Sequence, residues 1–163
     1  MTAKQILLEQ MAACHNQKNW FVPFTDSVAG LSAEQAKWNR TDGHSVWQIV
    51  NHLLFWNEKW LIRFRGDVPA KMEGENSDTF RVESLSDELW QSTVNKFESI
   101  LSEWEQRLKA ADESMLSSEA FEGYGGTWYE VFTQTTIHNA YHVGQIVAIR
   151  KQQGSWNSDI GVK

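Results

Sequence analysis

His138 and His142 stand four residues apart in the stretch Thr136-Ile137-His138-Asn139-Ala140-Tyr141-His142-Val143-Gly144-Gln145. On a helix that spacing puts both imidazoles on one face, one turn above the other, where they can converge on a single ion. Two ligands alone make a weak site. A third is available in Ser45-Val46-Trp47-Gln48-Ile49-Val50-Asn51-His52, whose last residue sits beside an apolar stripe. Three neutral imidazoles suit zinc, nickel, copper or iron, and leave a coordination position for water or substrate.

The pair of histidines carries little by itself, because helical HxxxH spacings arise by chance. Asn139 stands where the HExxH of a zinc protease has its glutamate, so that motif is absent and its general base with it. His52 strengthens the case: three buried imidazoles without a metal would need three separate sets of hydrogen-bonding partners. His15 has no spaced partner, and His44 lies just before a helix start, where a surface or capping-loop role is the default.

Composition narrows the setting for such a site. At 163 residues the chain fits one domain, residues 1–163, long enough to bury a core without disulfide staples. Hydrophobic residues make up 41% and charged residues 22%, which reads as globular rather than disordered. The net charge of −6 offers no basic face for a phosphate backbone, so no nucleic-acid partner is expected. No apolar run approaches a membrane span, and no membrane partner is expected. The single cysteine, Cys14, has no mate for an internal disulfide, and no signal-like segment opens the chain; both point to the cytoplasm. Nine tryptophans imply either wide aromatic packing, the expected place for most of them, or an aromatic-lined pocket.

Four amphipathic segments must position the histidines. Helix one covers residues 2 to about 28, opened by Thr2 with Gln5 three residues on, and bent or ended by Pro23. A short helical turn follows Ser32, and residues 41–44 read as a loop. Ser45 with Gln48 then starts helix two, from about 46 to 64, whose stripe of Ile49, Leu53, Trp56 and Trp60 places His52 at its flank. Residues 65 to about 83 hold Gly66, Pro69 and Gly74 and argue against a regular element. About 18 residues can span roughly 60 Å extended, against about 30 Å for the preceding helix, so the chain can return along the bundle and run helices two and three parallel. Helix three starts near Ser84 or Ser86 and continues to about Ala110. A polar loop over 111–126 leads to Thr127 and Glu130, the start of helix four, which runs from about 128 to 152 and stops at Gly154. With no strand alternation and no internal repeat, the fold class is all-α, a four-helix bundle.

Trp47 through His52, and His138-Asn139-Ala140-Tyr141-His142-Val143-Gly144-Gln145-Ile146, resemble the DinB/YfiT-like superfamily, and the likeness extends over nearly the whole chain. The resemblance implies an up-down-down-up bundle with a long crossover between helices two and three, in which His52, His138 and His142 bind one divalent metal. Zinc or nickel is the expected ion, with manganese and iron as further candidates. Many relatives have His-Arg-Gly-Gln where this chain has His142-Val143-Gly144-Gln145, so a contact made by that arginine is missing.

Characterised branches of that superfamily include metal-dependent transferases that use a low-molecular-weight thiol such as bacillithiol. The resemblance therefore implies a thiol S-transferase acting on a small-molecule substrate, with metal-bound water or thiol as the reactive group. A metal-dependent hydrolase is the second reading, with Glu58 or Glu130 as its base. A non-enzymatic, stress-related metal-binding protein, a homodimer whose ion pins two helices, is the third.

Overall fold

Each long helix begins where the sequence supplies a cap. In the computed structural model, which describes residues 1–39 and 43–161, α1 (Ala3–His15) starts from a capping box of Thr2 and Gln5. Two short helices, α2 (Phe24–Val28) and α3 (Ala33–Lys37), lead to α4 (Val46–Phe64), which opens on the box of Ser45 and Gln48. Ser86 caps α5 (Asp87–Ala110) by accepting from the Leu89 amide. After α6 (Glu113–Ser117), Thr127 and Glu130 form the box of α7 (Trp128–Gln153), which stops at Gly154 with φ of 78°, a left-handed angle that glycine adopts without strain. Thr41 and Asp42, part of the loop expected before α4, lie outside the described residues.

Three segments differ from the sequence-based expectation. Helix one does not continue to residue 28: it stops at His15, and the chain turns helical again only after Pro23. The run from Asn16 to Asn19 offers no apolar anchor, and the residue before a proline is pushed out of helical angles. Residues 111–126 are not all loop either. Leu116, fully buried, anchors α6 against the core, and Glu119 bridges Thr127. A 3-10 turn, Asn76–Phe80, likewise interrupts the crossover.

Contacts between the long helices fix their directions. Trp47 meets Trp90, Glu58 meets Lys96 and Arg65 meets Glu103, so α4 and α5 advance together and run parallel. Asn57 meets Asn139 and Phe64 meets Phe132, so α7 runs against α4. Lys4 reaches the carbonyls of Lys109 and Ala111 while His15 pairs with Glu105, so α1 runs against α5. The bundle is up-down-down-up, with residues 66–86 as the crossover.

The apolar interior falls into two clusters. One gathers Phe24, Val50, Leu53, Phe97 and Ile146. The other gathers Met11, Phe64, Trp104, Leu108 and Phe132. Between them, along the α4–α7 contact, the buried side chains turn polar: His52, Asn57, Thr135, Asn139 and His142. Buried polar groups need partners, and that polar layer is where the site forms. Of the tryptophans, Trp47, Trp90, Trp104 and Trp128 are buried, and Trp20 and Trp38 are exposed. Trp56, Trp60 and Trp156 are half-buried, so the core takes fewer than expected.

Candidate metal centre

His52 lies on the α4 face that also carries Ile49 and Trp56, and the antiparallel α7 brings His138 and His142 opposite it. His52 Nε2 is 3.0 Å from His138 Nε2, which is 3.1 Å from His142 Nε2. All three ligating atoms lie within 4.8 Å of one another. The three histidines expected from sequence are therefore brought together. His52 and His142 are buried and His138 is half-buried, exposed on the side of an adjoining cleft.

Hydrogen bonds fix which ring nitrogen of two of them faces the centre. Thr79 Oγ1 donates to the Asn76 carbonyl at 2.7 Å, so it can only accept from His52 Nδ1, also 2.7 Å away. Gln145 donates its amide to the Tyr141 hydroxyl, leaving its Oε1 to accept from His142 Nδ1 at 2.7 Å. With both protons on Nδ1, the Nε2 lone pairs of His52 and His142 point at His138. His138 Nε2 has at most one proton to give, so the protein alone satisfies at most one of the two contacts. A cation satisfies both. Tetrahedral coordination at zinc–nitrogen distances near 2 Å sets neighbouring nitrogens about 3.3 Å apart, close to the two separations measured from His138 Nε2.

The electrostatics suit the same occupant. Burial pushes the His52 imidazole down to about 3, helped by the positive charges that His142, His138 and His44 would carry. Burial and then His142 bring His138 down to about 4. Burial also lowers His142, against the opposing pull of its bond to Gln145. All three are neutral near pH 7, the state in which imidazole ligates.

The cleft holds about 310 Å³ and opens onto His52 and His138. Trp56, Trp60 and Tyr124 wall it, Asn57 and Thr135 reach into it, and Asn76 and Gln134 bring amides; among the described residues neither a carboxylate nor a thiol lines it. Glu58 pairs with Lys96, and Glu130 is bound into the α7 cap, so neither candidate base reaches the centre. His15 pairs with Glu105, and His44 stacks on Phe80. Neither enters the triad.

Sequence reasoning passed over the supporting residues. Thr79 and Phe80 come from the crossover, and Phe80 stacks on His52 with centroids 4.1 Å apart. Asn57 and Asn139 exchange amide hydrogen bonds beside the triad. The signal available for that pair was the presence of asparagine on the apolar faces of both ligand-bearing helices.

A family model described as the DinB superfamily matches residues 24–146, which include all three histidines. No curated protein matches the chain. No solved structure matches it.

Proposed function

The chain belongs to the DinB superfamily, and from that premise we propose that it is a metal-dependent thiol S-transferase. In this reading His52, His138 and His142 hold one divalent ion, zinc or nickel, and a low-molecular-weight thiol such as bacillithiol attacks an electrophile seated in the adjoining cleft. A bound cation would supply a lowered pKa for a thiol that coordinates it, making thiolate available at neutral pH. The sulfur forms its new bond to carbon as the electrophile's leaving group departs, and the thiol proton passes to solvent. Trp56, Trp60 and Tyr124 would grip a flat or apolar electrophile and exclude water from one side.

One observation carries this choice over the others: among the described residues, the cleft that opens on the triad is lined by no thiol and no carboxylate. The chain's one thiol, Cys14, is buried between α1 and α7, donates to the Thr136 carbonyl, and is pushed up to about 12 by burial. A thiol nucleophile would therefore arrive with a substrate. A hydrolase would have to work from metal-bound water without a carboxylate base, because the cleft has amides and aromatic rings in that place.

The test is incubation of zinc- or nickel-loaded protein with candidate thiols and a chromogenic electrophile. Thiol-dependent turnover above the metal-free background supports the proposal; its absence for every thiol overturns it. Ester or amide turnover without added thiol would establish the hydrolase. Metal-dependent stability with no turnover would establish a structural ion.

A further inference from the structure

The turn Asn76–Phe80 touches His52 in two ways. Thr79 Oγ1 meets Nδ1 at 2.7 Å, and the Phe80 ring lies nearly parallel to the imidazole, 10° between planes. Both residues are buried, although the turn belongs to a crossover that is otherwise mostly exposed. A threonine hydroxyl has one proton and two lone pairs. Here the proton is committed to the Asn76 carbonyl.

We infer that Thr79 is a positioning residue for the metal site: its committed hydroxyl obliges His52 to keep its proton on Nδ1, which leaves Nε2 free to ligate. If the hydroxyl instead donated to His52, the imidazole proton would sit on Nε2 and the ligand would be lost. Phe80 restricts rotation of the same ring, so the crossover sets both its tautomer and its plane. Asn76 extends the device to the cleft, because its side-chain Oδ1 accepts from Trp56 Nε1 at 3.0 Å. One turn thus ties a ligand to an aromatic wall of the substrate space. Outer hydrogen bonds of this kind typically change metal affinity about 10- to 100-fold.

The inference rests on the three-histidine site of the proposed function, and not on thiol transfer. Its test pairs two measurements. Long-range proton–nitrogen correlation spectra of the metal-free protein should show His52 protonated on Nδ1 in the wild type and in Thr79→Ser. In Thr79→Val, which keeps the shape and removes the hydroxyl, the Nε2–H form should appear. Zinc affinity, measured by chelator competition, should fall about 10- to 100-fold in Thr79→Val and return to within about twofold of wild type in Thr79→Ser. An Nε2–H tautomer in the wild type overturns the inference, as does a Thr79→Val protein that binds zinc as tightly as wild type. Should the wild type take up neither zinc nor nickel, the proposed metal function fails, and the tautomer still decides the role of Thr79. The wild-type spectrum stands even if Thr79→Val does not fold.

Discussion

Asn57 and Asn139 exchange two amide hydrogen bonds across the α4–α7 contact, 2.8 Å in one direction and 3.1 Å in the other. Both are almost fully buried, and Asn57 also donates to the Leu53 carbonyl. Because Asn139 adjoins His138 in sequence, the reciprocal pair fixes how far α7 slides along α4, and with it the meeting of His52 with His138 and His142. A slip of one residue would break both bonds at once.

Removing one partner leaves the other buried and under-satisfied, at a cost of about 1–3 kcal/mol. Asn139→Leu and Asn57→Leu should each lower stability by about that amount, while the double variant should lose less than the sum. Urea denaturation of the four proteins checks this. Strictly additive losses would mean the two amides do not depend on each other.

The triad and the two remaining histidines separate cleanly. His138→Ala leaves two imidazoles and should cut metal content steeply, because His138 Nε2 is the atom within 3.1 Å of both others. His15→Ala removes the partner of Glu105, outside the triad, and should leave metal content unchanged. Elemental analysis of protein purified without a chelating column distinguishes them. Equal occupancy in both variants would refute the assignment.

Acid should destabilise the metal-free protein through the same residues. The folded chain holds His52 near 3 and His138 near 4, against the usual imidazole value of 6.5 in the unfolded chain. Between those values the unfolded chain binds protons that the folded one refuses, so stability falls as pH drops. The contribution is complete above about pH 6.5 and disappears progressively as pH approaches the folded values. Denaturation midpoints from pH 7.5 down to 4.5 should decline, and His52→Gln should flatten the slope. A wild-type midpoint that is level or rising on acidification would contradict the burial of neutral imidazoles.

The parts of this architecture legible in the sequence are those set by near neighbours. Thr2, Ser45 and Thr127 announce helix starts through residues three positions on, and the spacing of His138 and His142 is itself local. His52 could be nominated from its stripe and from family resemblance, but only antiparallel packing delivers it to the other two. Apart from Gln145, three residues after His142, the support for the triad is non-local. Thr79 reaches His52 across 27 positions, and Asn57 reaches Asn139 across 82. No periodicity connects such pairs. The helix α6 was hidden for a related reason, since one buried leucine in a polar segment leaves no repeating pattern to read.

Trp60 and Trp104 look alike in composition and should behave oppositely under substitution. Trp104 is fully buried, stacks on Phe64, meets Phe132 edge-on and donates to the Asn57 carbonyl. Trp104→Ala should therefore cost about 3–5 kcal/mol of stability, the range for aromatic truncation in a core. Trp60 is half-buried, meets Tyr124 with centroids 5.3 Å apart, and lines the cleft at the edge of the core. It sits two turns beyond His52 on α4 and touches none of the ligating nitrogens. Trp60→Ala should leave metal content at the wild-type level and weaken electrophile binding by about 1.5 kcal/mol, the lower end for loss of one large apolar contact. In turnover that is an approximately tenfold rise in KM for the electrophile with kcat little changed, since the lost contact serves ground state and transition state alike. Steady-state kinetics at fixed thiol, alongside elemental analysis, measure both quantities. A Trp60→Ala protein that loses its metal would place the tryptophan in the support of the triad, and an unchanged KM would remove it from the substrate space.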